Sequence, residues 1–153
     1  MSPIITESEP PVSKARIQEV ERFIGSELPE PYKRFLLKHN GGTPKPCEFL
    51  FRSKDKPPRP ALLSWFLAIH DGPYENFLEH FKDFKGRIPD DTVAIARDPG
   101  GDLILIGLRD PLRGKIFFWT KKLESLDGSP TPPELLHEVA DDFDSFLNSL
   151  FDT

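Results

Sequence analysis

The chain has 153 residues, 37% of them apolar with 13 Phe, and a formal charge of −5. That is enough apolar material for one packed core and argues against wholesale disorder. A single cysteine, Cys47, excludes an internal disulfide and fits a reducing compartment. No apolar run approaches the ~20 residues of a membrane span. The opening MSPIITESEPP lacks the basic and apolar stretches of a secretion signal, so a cytoplasmic location is expected.

Residues 1–12, rich in Pro, read as an extended N-terminal arm, and 13–151 as one domain. Ser13 caps a helix running to Ile24, with Ile17, Val20 and Ile24 on one face and Gly25 as its stop. A second helix follows in LPEPYKRFLLKHNGG, opened by Pro29 or Pro31 and ended by Asn40-Gly41-Gly42. Residues 43–60 read as a Pro-rich loop. Ser64–His70 reads as a strand and Glu75–Lys85 as a third helix with Phe77, Leu78, Phe81 and Phe84 on its apolar stripe. Three strands are expected at Thr92–Arg97, Leu103–Leu108 and Lys115–Thr120. The last two are apolar at consecutive positions, which suits strands covered on both faces. Pro133–Phe151 reads as a final helix with Leu136, Val139, Phe143 and Phe146 inward and its acidic residues outward. The order predicts an α+β domain with a mainly antiparallel central sheet and about four helices.

Catalytic patterns are missing. His39, His70, His80 and His137 have no metal-ligand spacing, and neither a Walker-type loop nor G-x-S-x-G occurs. No cofactor or metal is implied. Asp141 and Asp142 of DDFD would diverge by about 100° on a helix, which suits a solvated acidic face better than a metal cluster. DPGGD (98–102) leads into a strand pattern, whereas phosphate cradles lead into a helix N-terminus. A tight turn is the sufficient reading.

Charge is unevenly spread. Leu123–Thr153 carries eight carboxylates and no Lys or Arg, leaving the first 122 residues at +3. Within 44–60, Lys45, Arg52, Lys54, Lys56 and Arg59 face only Glu48 and Asp55. The acidic end disfavours direct nucleic-acid binding and favours a basic partner.

Leu28-Pro29, Tyr32, Phe35 and Asn40-Gly41-Gly42, then Ile95-Ala96 and Gly100-Gly101-Asp102, then Gly114-Lys115 and Phe118-Trp119, then Ala140, Phe143 and Phe146-Leu147, occur in an order that resembles the SUKH superfamily. That superfamily includes the Smi/Knr-type fungal cell-wall assembly regulators. The resemblance spans about Ile17 to Leu150 and diverges in the Pro-rich insertion. It implies a single α+β domain without a catalytic centre. It also implies a protein partner: for bacterial members a cognate toxin, often a nuclease or deaminase, which the immunity protein occludes. On charge, Glu138, Asp141 and Asp142 are the first candidates for the toxin-binding surface, and Asp71 and Glu75 at the start of the third helix the second. The alternative is a non-catalytic regulatory adaptor that presents KDKPPRPALL as an extended ligand.

Overall fold

Strands apolar at consecutive positions need cover on both faces. A computed structural model, which describes residues 2–153, shows what supplies it. The elements in chain order are β1 (Ile4–Thr6), α1 (Lys14–Ile24), α2 (Glu30–Lys38), β2 (Thr43–Lys45), β3 (Glu48–Phe51), β4 (Arg59–Leu62) and β5 (Trp65–Phe66). They continue as α3 (Phe77–Phe84), β6 (Thr92–Arg97), β7 (Leu103–Gly107), β8 (Ile116–Trp119), β9 (His137–Ala140) and α4 (Phe143–Ser149). Strands β5-β6-β7-β8-β9 form one antiparallel sheet in that order, and β1-β2 and β3-β4 are separate antiparallel pairs. The fold is therefore α+β in one domain, as the sequence pattern predicts.

Phe118 and Trp119, adjacent on β8, show the two covers. Phe118 meets Phe49 and Phe51 of the β3–β4 hairpin at centroid distances of 5.2 and 5.0 Å. Phe49 in turn meets Phe146 of α4 at 6.0 Å. Trp119 points the other way, edge-on to Phe84 of α3 at 5.6 Å, and its Nε1–H donates to Thr131 Oγ1 at 2.9 Å. Phe35 of α2 and Phe143 of α4 close over Phe66 of β5. Each such ring contributes roughly 1.5–3 kcal/mol by leaving water. α1 begins where Arg16 N–H donates to Ser13 Oγ and stops at Gly25, whose φ of +80° lets its N–H reach Glu21 O.

Four expectations are corrected. Residues 43–60 are not a loop: β2, β3 and β4 lie there, because Phe49 and Phe51 alternate inward with Glu48 and Leu50. Arg59–Leu62 of KDKPPRPALL are thus held in β4. Ser64–His70 is strand only at Trp65–Phe66; beyond it Ala68 N–H turns to Glu75 O and Ile69 N–H to the Asn40 side chain. The third helix starts at Phe77, since Asn76 is its cap: its Oδ1 accepts from Glu79 N–H at 3.1 Å. Pro133–Phe151 is no single helix but a 3-10 turn, then β9, then α4. Asp142 stops the strand and caps the helix, its carboxylate taking Ser145 N–H at 2.7 Å and Ser145 Oγ–H at 3.1 Å. Before α1, Ile4–Thr6 is paired to Thr43–Lys45.

Candidate functional site

The two glycine-bearing motifs sort first, and both are structural. Asn40 is buried. Its Nδ2 donates to Pro10 O and to Ile69 O, both at 2.9 Å, while its Oδ1 accepts from Ile69 N–H at 2.8 Å. One amide thereby clamps the N-terminal arm, the end of α2 and the chain beyond β5. A Cβ on Gly41 would stand 2.6 Å from Ala68 Cβ, so the crossing admits no side chain there. In DPGGD, Asp98 Oδ1 accepts from Gly100 N–H and Asp102 N–H at 2.9 and 2.8 Å, and Asp102 Oδ1 accepts from Lys121 N–H at 3.0 Å. Both carboxylates serve the β6–β7 turn and its neighbour.

The clamp delivers residues 69–76 as a braced loop beside the β5 edge. His70 Nδ1 accepts from Gly72 N–H at 2.9 Å, so the ring is the neutral Nε2–H tautomer, and Nε2–H donates to Tyr74 O at 2.8 Å. Asn76 Nδ2 donates to His70 O and Gly72 O. The loop holds Tyr74 out, 76% exposed, at a cleft of 440 Å³ that Trp65, His70, Glu7 and Glu9 also line. Glu9 Oε1 lies 3.7 Å from His70 Nδ1, too far and with the wrong tautomer for a hydrogen bond. Asp71 is exposed on the adjoining groove with Glu9, and its carboxylate has no ion-pair partner among the described residues. The cleft therefore sets an aromatic ring among carboxylates, an arrangement that suits a cationic side chain.

The five acidic candidates divide between two places. Asp71 and Glu75 lie in this loop, but Glu75 is spent: its Oε1 binds both the Nε and Nη2 of Arg97. Glu138, Asp141 and Asp142 are exposed at the far edge of the sheet, on β9 and the turn after it. They do not share a helix face, and Asp142 is the α4 cap. Tyr74, His70, Glu7 and Glu9 escaped the sequence reading. The one local signal was the turn-rich string HDGPYEN, whose Asn76 opens the Asn-x-x-Glu pattern of a helix cap.

The histidines are dispersed. His137 Nδ1 contacts Ser53 Oγ at 2.9 Å, His80 lies on α3 and His39 ends α2. Burial, with the charges of Arg59 and Lys56 behind it, holds the His137 imidazole below its usual pKa. No three His, Cys, Asp or Glu side chains converge as for a metal among the described residues. Nor is any described helix long and apolar enough to cross a membrane.

Fold and site together define a small α+β module with an aromatic core and an open acidic cleft. Residues 11–149 match the SMI1 / KNR4 family (SUKH-1), and the chain belongs to that family, whose members are generally non-catalytic immunity and regulatory proteins. A Bacillus subtilis (strain 168) protein, named SPbeta prophage-derived uncharacterized protein YokK, is 26% identical over 151 residues. The match covers 90% of this chain and 73% of that protein.

Proposed function

We propose that this chain is an immunity protein, which binds a cognate toxin, for example a nuclease or deaminase, and neutralises it by occlusion without catalysis of its own. Family membership across residues 11–149 carries the reading, and the prophage origin in the name of the Bacillus subtilis relative fits a gene carried in genetic conflict. A toxin that acts on nucleic acid has a basic cleft, and an acidic inhibitor is steered onto it. The surface best suited to this is the Tyr74 cleft: an exposed ring supplies the anchor, and Glu7 and Glu9 in the cleft with Asp71 on the adjoining groove meet the cations. Close charge pairs across such an interface couple by roughly 1.5–7 kcal/mol. Glu138 and Asp141 form the second acidic surface.

Co-expression with the proposed cognate toxin tests both parts. Growth should be restored by the wild-type chain, lost with Tyr74→Ala plus Asp71→Lys, and retained with Glu138→Lys plus Asp141→Lys. The reverse pattern would move the interface to the far edge of the sheet. No protection by the folded wild-type chain would defeat the immunity reading.

A further inference from the structure

Residues 48–62 fold into the β3–β4 hairpin, which the acidic cleft leaves unused. Its inward face is committed to the core through Phe49 and Phe51. The pairing Leu50↔Pro60 and Glu48↔Leu62 puts Leu50, Pro60 and Leu62 together on the other face, where Leu50 is 45% and Leu62 44% exposed. An uncovered apolar strip on a strand pair marks an interaction surface.

The hairpin end beside that strip is cationic. Arg52, Lys54, Lys56 and Arg59 are exposed, and none lies within 4.0 Å of a carboxylate among the described residues. Asp55 is the one acid within that stretch. Arg59 rests over the Phe51 ring at 4.8 Å and donates to Ser53 Oγ at 2.7 Å. Glu48 flanks the hairpin at its base, accepting from the Thr153 hydroxyl, and Glu138 lies beside Arg52, so Lys54 and Lys56 carry the positive charge of the tip. The platform is fixed at both ends: Arg52 exchanges two backbone hydrogen bonds with Glu138, and Glu48 two with Phe151.

The free edge of β4 is closed to strand addition. Leu63 N–H bonds Cys47 O, so by alternation Arg59 and Ala61 turn their backbone groups to β3, and positions 58, 60 and 62 turn theirs outward. Two of those three are Pro, leaving Leu62 the single outward N–H. Edge-to-edge pairing with a second copy is thereby blocked, and the face is what remains to be covered.

We infer that the outer face of the β3–β4 hairpin docks an acidic segment of a partner protein, with an apolar side chain of that segment on Leu50, Pro60 and Leu62 and its carboxylates over Lys54 and Lys56 at the tip. The tip lies at the β9 edge of the sheet, opposite the β5 edge that borders the Tyr74 cleft, so this surface is separate in place and opposite in sign. It goes beyond the immunity reading, and its test needs no toxin, so each can fail alone.

The test selects a random dodecapeptide display library on the full chain and titrates the enriched peptides. Expected are peptides with several Asp or Glu beside a Leu, Met or aromatic residue. Their affinity falls about tenfold or more on Lys54→Glu plus Lys56→Glu, and comparably on Leu50→Ser plus Leu62→Ser. Raising salt weakens the peptides on the wild-type chain and has little effect on the Lys54/Lys56 variant. Thermal unfolding confirms that both variants fold. Enrichment of neutral or basic peptides, binding indifferent to both pairs of substitutions, or no hairpin-dependent peptide after selection would overturn the inference.

Discussion

Replacing Asn40 by Ala removes the clamp on which the cleft is built. The side chain is 3% exposed and makes three hydrogen bonds, two of them to the buried Ile69 backbone. Pro10 is exposed, and its carbonyl can turn to water. Ile69 N–H and C=O have no such recourse, and each buried group left bare costs about 1–3 kcal/mol. The expected loss is about 4 kcal/mol, a large part of the 5–15 kcal/mol typical of a domain. With a urea slope of about 2 kcal/mol/M, the midpoint should drop by about 2 M at unchanged slope. Asn40→Asp sharpens the test. Its carboxylate still accepts from Ile69 N–H but faces the Ile69 and Pro10 carbonyls, so the neutral acid is favoured and its folded pKa lies above the unfolded ~3.9. The folded state then holds the extra proton, and stability should recover as pH falls through the folded value; the Ala variant gains nothing from this group. A midpoint loss worth under about 1 kcal/mol for Asn40→Ala would refute the clamp.

Three further outcomes follow from the core and its charges. Tyr32 is buried beside Phe143 with no hydrogen-bond partner for its hydroxyl among the described residues, and burial raises its pKa. Tyr32→Phe should therefore keep or raise the urea midpoint; a loss above about 1 kcal/mol would reveal a bond the hydroxyl makes. His137 is held below its usual pKa, so only the unfolded chain binds the proton just below ~6.5. Stability should fall on acidification through that value, and His137→Gln should lose less between pH 8 and pH 5.5. Burial, then Asp152 and Glu48, raises the Cys47 thiol, so the native protein should react with a disulfide reagent at neutral pH more slowly than the urea-unfolded chain does.

Where structure follows from neighbours along the chain, the sequence announced it. Ser13 and Gly25 bound α1 by their own side-chain and φ chemistry, and the doubly buried β7 and β8 follow from unbroken apolar runs. Misreadings arose where a partner far away decides. Leu136, Val139, Ala140 and Phe143 have helical spacing, yet β9 forms because β8 on one side and Arg52 on the other need its backbone groups. The prolines of 57–60 suggested a loop, yet Pro60 sits on an edge strand where its missing N–H costs nothing. The acidic bias of the C-terminal segment was legible, but not that Asp142 is spent on a cap and Glu75 on Arg97. Exposure of Tyr74 depends on His70, Asn76 and Asn40 acting together across the fold, which no local pattern reports.

Calorimetric titration of the full chain with the purified domain of the proposed cognate toxin tests the central claim most directly. The account predicts a 1:1 complex with Kd below about 1 μM, weakened by salt and by Tyr74→Ala plus Asp71→Lys. Absence of binding by the folded wild-type chain, or binding that neither salt nor those substitutions alter, would contradict it.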